Sequence, residues 1–286
     1  MTWNAYEVIF RLRSPLHIGY SKVGNLQRTR PYVTGRSLWG ALTMRLTRDA
    51  AQGSGPATDS SKYQEFGAQV HEYLAFTYFY PALQSGNDYQ VAWPWDNETL
   101  FRRRFLSSYQ GTALSYPQQS AAEGMLHEVE FISPYTVDTG QPVFLRGYVF
   151  EKTGCKLDWR PACERLQLGG ERGYGWGKID LIDIIDIGDC VNVKLFGGVA
   201  QFEQNSSDNV LISLPADKWL LAHTAPGQTN LVGELEPLVG REWRANSYVG
   251  QYVVFNGVYF TPGSIVKSSC KVAVKEFGIW HIISSS

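Results

Sequence analysis

Apolar and polar side chains alternate over residues 6–13, which predicts a half-buried β-strand near the start of the chain. A segment rich in glycine, asparagine and arginine follows it and predicts a loop up to residue 31. Apolar residues then recur at helical spacing over residues 37–46 and again over residues 63–80. Two helices are therefore expected after the first strand.

Beyond residue 80 the pattern changes to short runs with the length and aromatic content of β-strands. Strands are predicted over residues 101–109, 125–132, 142–151 and 177–187, with a short helix over residues 159–166. The predicted order is strand, helix, helical insertion, three strands, helix and strand. This order is that of an α+β, ferredoxin-like (RRM-like) unit with a helical insertion.

Short strand-like runs dominate from residue 189 onward, for example at residues 218–222, 248–254 and 271–277. We place a domain boundary near Gly188. The expected organisation is a ferredoxin-like domain over residues 1–188 and a β-rich domain over residues 189–286. This pattern fits a second ferredoxin-like fold as well as another β-rich fold.

The formal net charge of −1 hides an uneven distribution of charge along the chain. No acidic residue lies between Val8 and Arg48, whereas eight basic residues do. These residues are Arg11, Arg13, Lys22, Arg28, Arg30, Arg36, Arg45 and Arg48. The arginines of the predicted helix, Arg36, Arg45 and Arg48, are expected to reach solvent. Because no nearby acid neutralises this segment, nucleic-acid phosphate is its expected partner, and a solvated basic loop is the alternative.

Composition and cysteine spacing narrow the class of protein further. Hydrophobic residues make up 44% and charged residues 19% of the chain, so it is expected to fold. The chain lacks a transmembrane-length apolar run and a secretory signal pattern, so a soluble, cytoplasmic protein without a membrane partner is expected. Cys155, Cys163, Cys190 and Cys270 form no close pair, which favours free thiols over disulfides or a metal site. No metal ion and no cofactor are expected.

A loop over residues 169–177 contains five glycines among nine residues. Glycine at this density lets the backbone approach a ligand closely and expose its amides to phosphate oxygens. Arg172 adds a positive charge, and Tyr174 and Trp176 offer planar faces on which bases can stack. We favour a binding loop here over the alternative of a simple surface turn, because a turn needs fewer glycines.

A second candidate segment combines a strand end, a basic loop and the start of a helix. It comprises residues 14–19 and residues 28–42, with Gly35 leading into the helix. The unpaired amides and the dipole at a helix start both favour an anion. This segment therefore predicts a phosphate site.

Together these segments resemble the RAMP superfamily of CRISPR-associated proteins. The resemblance rests on Pro15-Leu16-His17-Ile18-Gly19, on the run from Tyr32 through Gly35-Arg36-Ser37-Leu38 to Leu42, and on the later glycine-rich loop. It extends in order over residues 5–187, and Thr34 stands where the family often has proline. Residues 259–264 resemble a proline-glycine-serine element of a second RAMP half.

The resemblance implies a subunit of a guide-RNA-containing interference complex. RNA-cleaving backbone subunits of type III complexes carry an aspartate between the first strand and its helix, and residues 8–48 contain none. The repeat-processing endoribonucleases have their glycine-rich loop near the C-terminus, whereas about 110 residues follow it here. The resemblance is therefore greatest to the non-catalytic type III subunit that caps the 5′ repeat-derived tag of the guide RNA. Its implied partners are guide RNA, the large signalling subunit, backbone RAMP subunits and, indirectly, target RNA.

Candidate RNA-binding residues come from both segments. They are His17, Lys22, Arg28, Arg30, Arg36, Ser37, Gly169, Gly170, Arg172, Gly173, Tyr174, Gly175, Trp176 and Gly177. His17 is also the candidate general base of the alternative function, a metal-independent endoribonuclease of CRISPR repeat RNA. A third interpretation is a scaffold whose basic loop binds an acidic protein partner.

Overall fold

The computed structural model describes residues 2–51, 60–116, 120–188, 193–203, 208–227, 231–244, 248 and 250–285. Helices within these ranges are α1 (Gly35–Ala50), α2 (Ser60–Tyr73), α3 (Glu98–Phe105) and α4 (Trp159–Cys163). The strands up to residue 188 are β1 (Trp3–Leu12), β2 (Gly19–Val23), β3 (Leu26–Thr29), β4 (Leu74–Phe76), β5 (Tyr80–Ser85), β6 (Asp88–Val91), β7 (Leu106–Gly111), β8 (Leu114–Ser115), β9 (Ser120–Ala121), β10 (His127–Ile132), β11 (Phe144–Lys152) and β12 (Ile179–Asp186). The later strands are β13 (Val193–Leu195), β14 (Ala200–Glu203), β15 (Val210–Leu214), β16 (Lys218–Trp219), β17 (Leu231–Val232), β18 (Leu235–Glu242), β19 (Tyr252–Phe260), β20 (Ile265–Val266), β21 (Cys270–Val274) and β22 (Trp280–Ser285).

The protein is an α+β protein rich in sheet, as the sequence predicts. Its six-stranded sheet has the order β12-β1-β11-β5-β6, and β4 also pairs with β11. Every pairing in this sheet is antiparallel. Helix α1 follows β1 in the chain, and α4 lies between β11 and β12.

Strand β1 is buried on both faces rather than on one. Phe10 and Leu12 pack with Leu42 of α1 and with α4 in one hydrophobic core. Trp3 and Ala5 pack on the other face with strands that follow residue 188. The expected half-buried strand is therefore a central one, because the C-terminal strands cover the face that alternation assigned to solvent.

The C-terminal strands form a five-stranded sheet in the order β13-β14-β15-β21-β22, together with two small sheets. The chain enters them after β12 ends at Asp186, close to the expected boundary at Gly188. The core between the two parts is nevertheless shared, since Tyr148 and Phe150 of β11 contribute to it with Phe202 and Ile212. The division into two domains stays a prediction.

Helix α1 confirms the helix expected at residues 37–46, whereas two predicted elements are wrong in part. Residues 101–105 are helical because Asn97 caps α3 through Leu100 N, at 3.0 Å, and Phe101 stacks on Phe105 one turn later. The aromatic content of this run suggested a strand, but the spacing is that of a helix. The second helix was expected over residues 63–80, but α2 ends at Tyr73. Strand β4 and the first residue of β5 lie in the rest of that range.

The loop expected up to residue 31 contains a β-hairpin made of β2 and β3. Gly24, at φ 58°, forms its turn with Asn25, a pair that is typical of tight hairpins. This hairpin joins β10 and β7 in a four-stranded sheet. Arg28 and Lys22 are therefore strand residues.

Cys155, Cys163 and Cys270 are free thiols, and Cys190 lies outside the described residues. Burial raises the pKa of Cys163 to about 12, so its thiol stays protonated near neutral pH. In the part of the chain that the structure describes, no helix is long and apolar enough to cross a membrane.

Candidate nucleic-acid interface

A cleft of about 1470 Å³ lies between α1, α2, the glycine-rich loop and the hairpin formed by β18 and β19. Of the predicted site residues, it is lined by His17, Arg30, Arg36, Ser37, Gly169, Gly170 and Arg172. The cleft lining does not include Lys22, Arg28, Gly173, Tyr174, Gly175, Trp176 or Gly177. Folding thus brings parts of both candidate segments, about 130 positions apart in the chain, to one surface.

The expectation that no acid neutralises the basic segment is wrong, because β18 places two glutamates against it. Arg30 donates to Glu236 at 2.7 Å, and Arg36 donates to Glu242 at 2.9 Å. Neither glutamate is near the arginines in sequence. Arg36 also lies over the ring of Phe277 at 4.5 Å, so it does not extend freely into solvent as predicted.

Arg45 was expected to reach solvent together with Arg36 and Arg48, but it is also paired. It donates to Asp49 at 2.5 Å, and its side chain is only 15% exposed. Arg48 is half-buried. All three arginines of α1 are therefore partly buried, and Arg36 and Arg45 are held in ion pairs.

Arg30 belongs to a buried polar network that joins the two parts of the chain. Glu236 accepts from Arg30 and from Nε2 of His223, whose Nδ1 lies 2.6 Å from the hydroxyl of Tyr78. Burial lowers the pKa of His223, so its imidazole is neutral, and it accepts from Tyr78 at Nδ1 while donating to Glu236 at Nε2. Burial acts to raise the pKa of Glu236, but hydrogen bonds from His223 and Arg30 outweigh it and lower that pKa. The network therefore holds one carboxylate and one guanidinium, whose charges cancel.

The glycine-rich loop divides into sealed ends and an open middle. A Cβ at Gly169 would collide with the carbonyl of His17, and one at Gly177 would collide with the carbonyl of Leu168. Both glycines have positive φ; Gly169 permits close packing against the segment that carries His17, and Gly177 permits a close approach to Leu168 just before the loop. Gly173, by contrast, faces open space.

The two aromatic residues of the loop differ in the same way. Tyr174 is 81% exposed. The ring of Trp176 packs edge-on against Phe131 at 5.0 Å and lies 6.4 Å from the ring of Tyr109. Tyr174 is therefore available to a base, whereas Trp176 is largely a packing residue.

His17 is nearly buried, with 6% of its surface exposed, and it lines the cleft. Its Nδ1 lies 2.7 Å from the main-chain carbonyl of Glu130, which can only accept, so Nδ1 carries the proton. No hydrogen bond to Nε2 occurs among the described residues. In the neutral ring, Nε2 is then an acceptor held in a fixed orientation.

The glycine-led start of α1 is not an open anion site. A Cβ at Gly35 would collide with the carbonyl of Phe277, which reaches over the helix start from the C-terminal part of the chain. Thr34 caps the helix, and its carbonyl accepts from Ser37 N at 3.0 Å. Gly35 is thus explained by a close approach of two backbones.

The charge of the cleft depends on residues that the sequence did not single out. Among the described residues that line it there are five arginines and one glutamate. They are Arg30, Arg36, Arg172, Arg241, Arg244 and Glu242. Arg241 and Arg244 come from the region of β18, where no local pattern distinguished them from other surface charges. When Glu236, the partner of Arg30, is counted as well, five arginines face two glutamates, so the cleft stays positive although the whole chain is slightly negative.

No protein-family model matches the chain, and no curated protein matches it. A chain in a cryo-EM structure of the Type III-B Cmr-beta bound to cognate target RNA and AMPPnP is similar with a TM-score of 0.47 and 12% identity, over 91% of this chain and 86% of that chain. A second chain, from the Type III-B Cmr-beta bound to cognate target RNA, has a TM-score of 0.39 and 11% identity over 62% of this chain and 96% of that one. A third, from the apo state, has a TM-score of 0.38 and 9% identity over 63% of this chain and 96% of that one. Similarities of this size do not establish a shared fold or role.

Proposed function

We propose that this protein is a non-catalytic RNA-binding subunit of a type III CRISPR interference complex, and that the cleft holds the 5′ repeat-derived tag of the guide RNA. One observation carries the proposal: the two segments that resemble RAMP motifs line a single cleft with five arginines and one glutamate. A concentrated positive field in a groove is what a polyanion requires. The proposed partners besides guide RNA are the large signalling subunit, backbone RAMP subunits and, indirectly, target RNA.

The size and lining of the cleft support RNA rather than a small ligand. Its volume of about 1470 Å³ exceeds the ~300 to 1,000 Å³ that small-molecule pockets occupy. Tyr20, Trp39, Tyr63 and Tyr252 also line it. Aromatic rings beside a positive groove are typical of single-stranded nucleic-acid sites, because bases stack on the rings while arginines contact phosphates.

The topology supports a ferredoxin-like RAMP domain as the N-terminal part. The strands β12, β1, β11 and β5 lie side by side in an antiparallel sheet, and α1 and α4 follow β1 and β11 in the chain. Strands one and three of such a unit are central, and its strands two and four lie outside them. We assign β1, β5, β11 and β12 to these four positions in chain order.

The test removes two cleft arginines that lie outside the Arg30 network. We expect Arg172→Ala combined with Arg241→Ala to weaken binding of single-stranded tag RNA and to flatten the slope of log affinity against log salt by about 1.4, since each phosphate contact on single-stranded RNA contributes ~0.7. The matched control, Lys156→Ala with Lys218→Ala, removes the same charge from exposed positions outside the cleft lining. An equal effect of both pairs would contradict the proposed interface.

The alternative function, a metal-independent endoribonuclease, is favoured by one observation, the unbonded Nε2 of His17 at the cleft. It predicts cleavage of repeat RNA in EDTA and loss of the product in His17→Ala. The main proposal predicts that wild-type protein binds this RNA and leaves it intact under the same conditions.

A further inference from the structure

We propose that strand β18 is a strap over Arg36, latched by the carboxylate of Glu242, and that an RNA phosphate releases the latch by replacing this carboxylate. The inference rests on the proposed function, since it concerns how RNA gains access to the same cleft. Glu242 is the one acidic residue among the described residues that line the cleft.

Arg36 is enclosed by the strap and by the chain beneath it. A Cβ at Gly240 of β18 would lie 2.7 Å from Nε of Arg36, so the strap backbone rests directly on the guanidinium. The ring of Phe277 lies on Arg36 as well, at 4.5 Å from its central carbon. Glu242 accepts a hydrogen bond from the NH2 group of Arg36 at 2.9 Å. The side chain of Arg36 is 23% exposed at the cleft, and a phosphate can take the position at its NH2 group only when Glu242 leaves it.

The two arginine–glutamate pairs of β18 differ in a way that assigns them different roles. The side chains of Arg30 and Glu236 are 12% and 10% exposed, and Glu236 also accepts from His223. The side chains of Arg36 and Glu242 are 23% and 29% exposed, and within the part of the chain that the structure describes one hydrogen bond joins Arg36 to this strand. Separating Arg30 from Glu236 would leave unpaired charges in the interior. Arg36, by contrast, can exchange Glu242 for another anion at the surface. The end at Glu236 is thus the fixed end of the strap, and the end at Glu242 is the releasable one.

Phosphate is the better partner for the guanidinium of Arg36. The NH1 group of Arg36 is buried and has no hydrogen-bond partner among the described residues, while NH2 donates to Glu242. A phosphate offers several acceptor oxygens in the geometry that guanidinium groups bind in bidentate fashion. Glu242, which also lies 3.6 Å from NH2 of Arg244, would be left with a second guanidinium after displacement.

The experiment compares Glu242→Gln with Glu234→Gln, a variant that removes the same charge from an exposed site next to β18 and outside the cleft lining. Tag RNA is titrated against the full chain of each variant. Glu242→Gln is expected to bind about two- to fivefold more tightly than wild type, because RNA no longer competes with an internal carboxylate. Glu234→Gln should match wild type or improve on it by less. Without RNA, amide hydrogen exchange in β18 should be faster in Glu242→Gln alone.

Each outcome has a distinct meaning. Weaker binding by Glu242→Gln would show that the pair merely holds the cleft together, and unchanged binding would show that Glu242 does not compete with RNA; either result overturns the latch. An equal gain in RNA affinity in Glu234→Gln would also overturn the latch, because the change in net charge that both variants share would then explain the gain. If neither wild type nor Glu242→Gln binds RNA, the proposed function fails, whereas faster exchange in β18 would still show that Glu242 holds this strand in place.

Discussion

The arginine segment at residues 28–37 and the glycine-rich loop at residues 169–177 are both candidate RNA sites, yet folding treats them differently. The arginine segment loses part of its charge, since Arg30 and Arg36 pair with glutamates of β18. The glycine-rich loop loses part of its freedom, since its ends are packed against neighbouring backbone and its middle is open. A run of charged residues in a sequence therefore does not predict the electric field at the protein surface. The number of glycines in a loop likewise does not predict how much of that loop is exposed to solvent.

The largest expected effect is on the buried end of the arginine segment. Replacing Glu236 by alanine leaves the charge of Arg30 in the interior without its partner, which should lower the free energy of unfolding by about 3 to 5 kcal/mol. Urea denaturation measures this difference. The control, Glu234→Ala at an exposed site, should change stability by less than about 0.5 kcal/mol. Equal stability of the two variants would mean that Arg30 and Glu236 do not hold the two parts of the chain together.

The next effect separates the ends of the glycine-rich loop from its middle. Gly177→Ala adds a Cβ that collides with the carbonyl of Leu168 at a positive φ, so it should cost more than about 2 kcal/mol of stability. Gly173→Ala adds a methyl group to open space and should cost less than about 1 kcal/mol. Thermal unfolding of both variants measures the contrast, and similar melting temperatures would show that the loop is uniformly free.

The two aromatic residues of this loop should differ by a smaller amount. Trp176→Ala removes the ring contacts with Phe131 and Tyr109 and should destabilise the fold by about 1 to 2 kcal/mol. Tyr174→Ala should leave stability within about 0.5 kcal/mol, and any effect it has should be on RNA affinity. Denaturation and RNA titration of the same two variants distinguish the roles. A loss of stability in Tyr174→Ala would contradict the assignment of its ring to solvent.

The smallest effect concerns pH and the network around Arg30. Because the pKa of His223 is lower in the folded state, the unfolded chain takes up a proton first as pH falls below about 6.5. Stability due to this group is therefore lost with falling pH in that window, with a slope of at most about 1.4 kcal/mol per pH unit. His223→Gln should reduce the slope of unfolding free energy against pH between about 5 and 6.5. An unchanged slope would show that His223 is not kept neutral by folding.

Local patterns predicted the class of the fold and several of its elements. The alternation at residues 6–13 falls in β1 up to Leu12, and the helical spacing at residues 37–46 lies within α1. The pattern misled at α3, where the Asn97 cap and the spacing of Phe101 and Phe105 were outweighed by aromatic content. The hairpin of β2 and β3 was missed although Gly24-Asn25 is a turn signal.

The sequence by itself determined the elements that local side-chain periodicity specifies, the α+β class, and the two segments that resemble RAMP motifs. Only the tertiary structure decided which charges survive at the surface, because Glu236 and Glu242 lie some 206 positions from the arginines they neutralise. It also decided that Gly35, Gly169 and Gly177 serve close backbone contacts while Gly173 stays open. Coulombic pairing and steric contact depend on distance in space, and distance in space is set by the packing of the whole chain rather than by any local pattern.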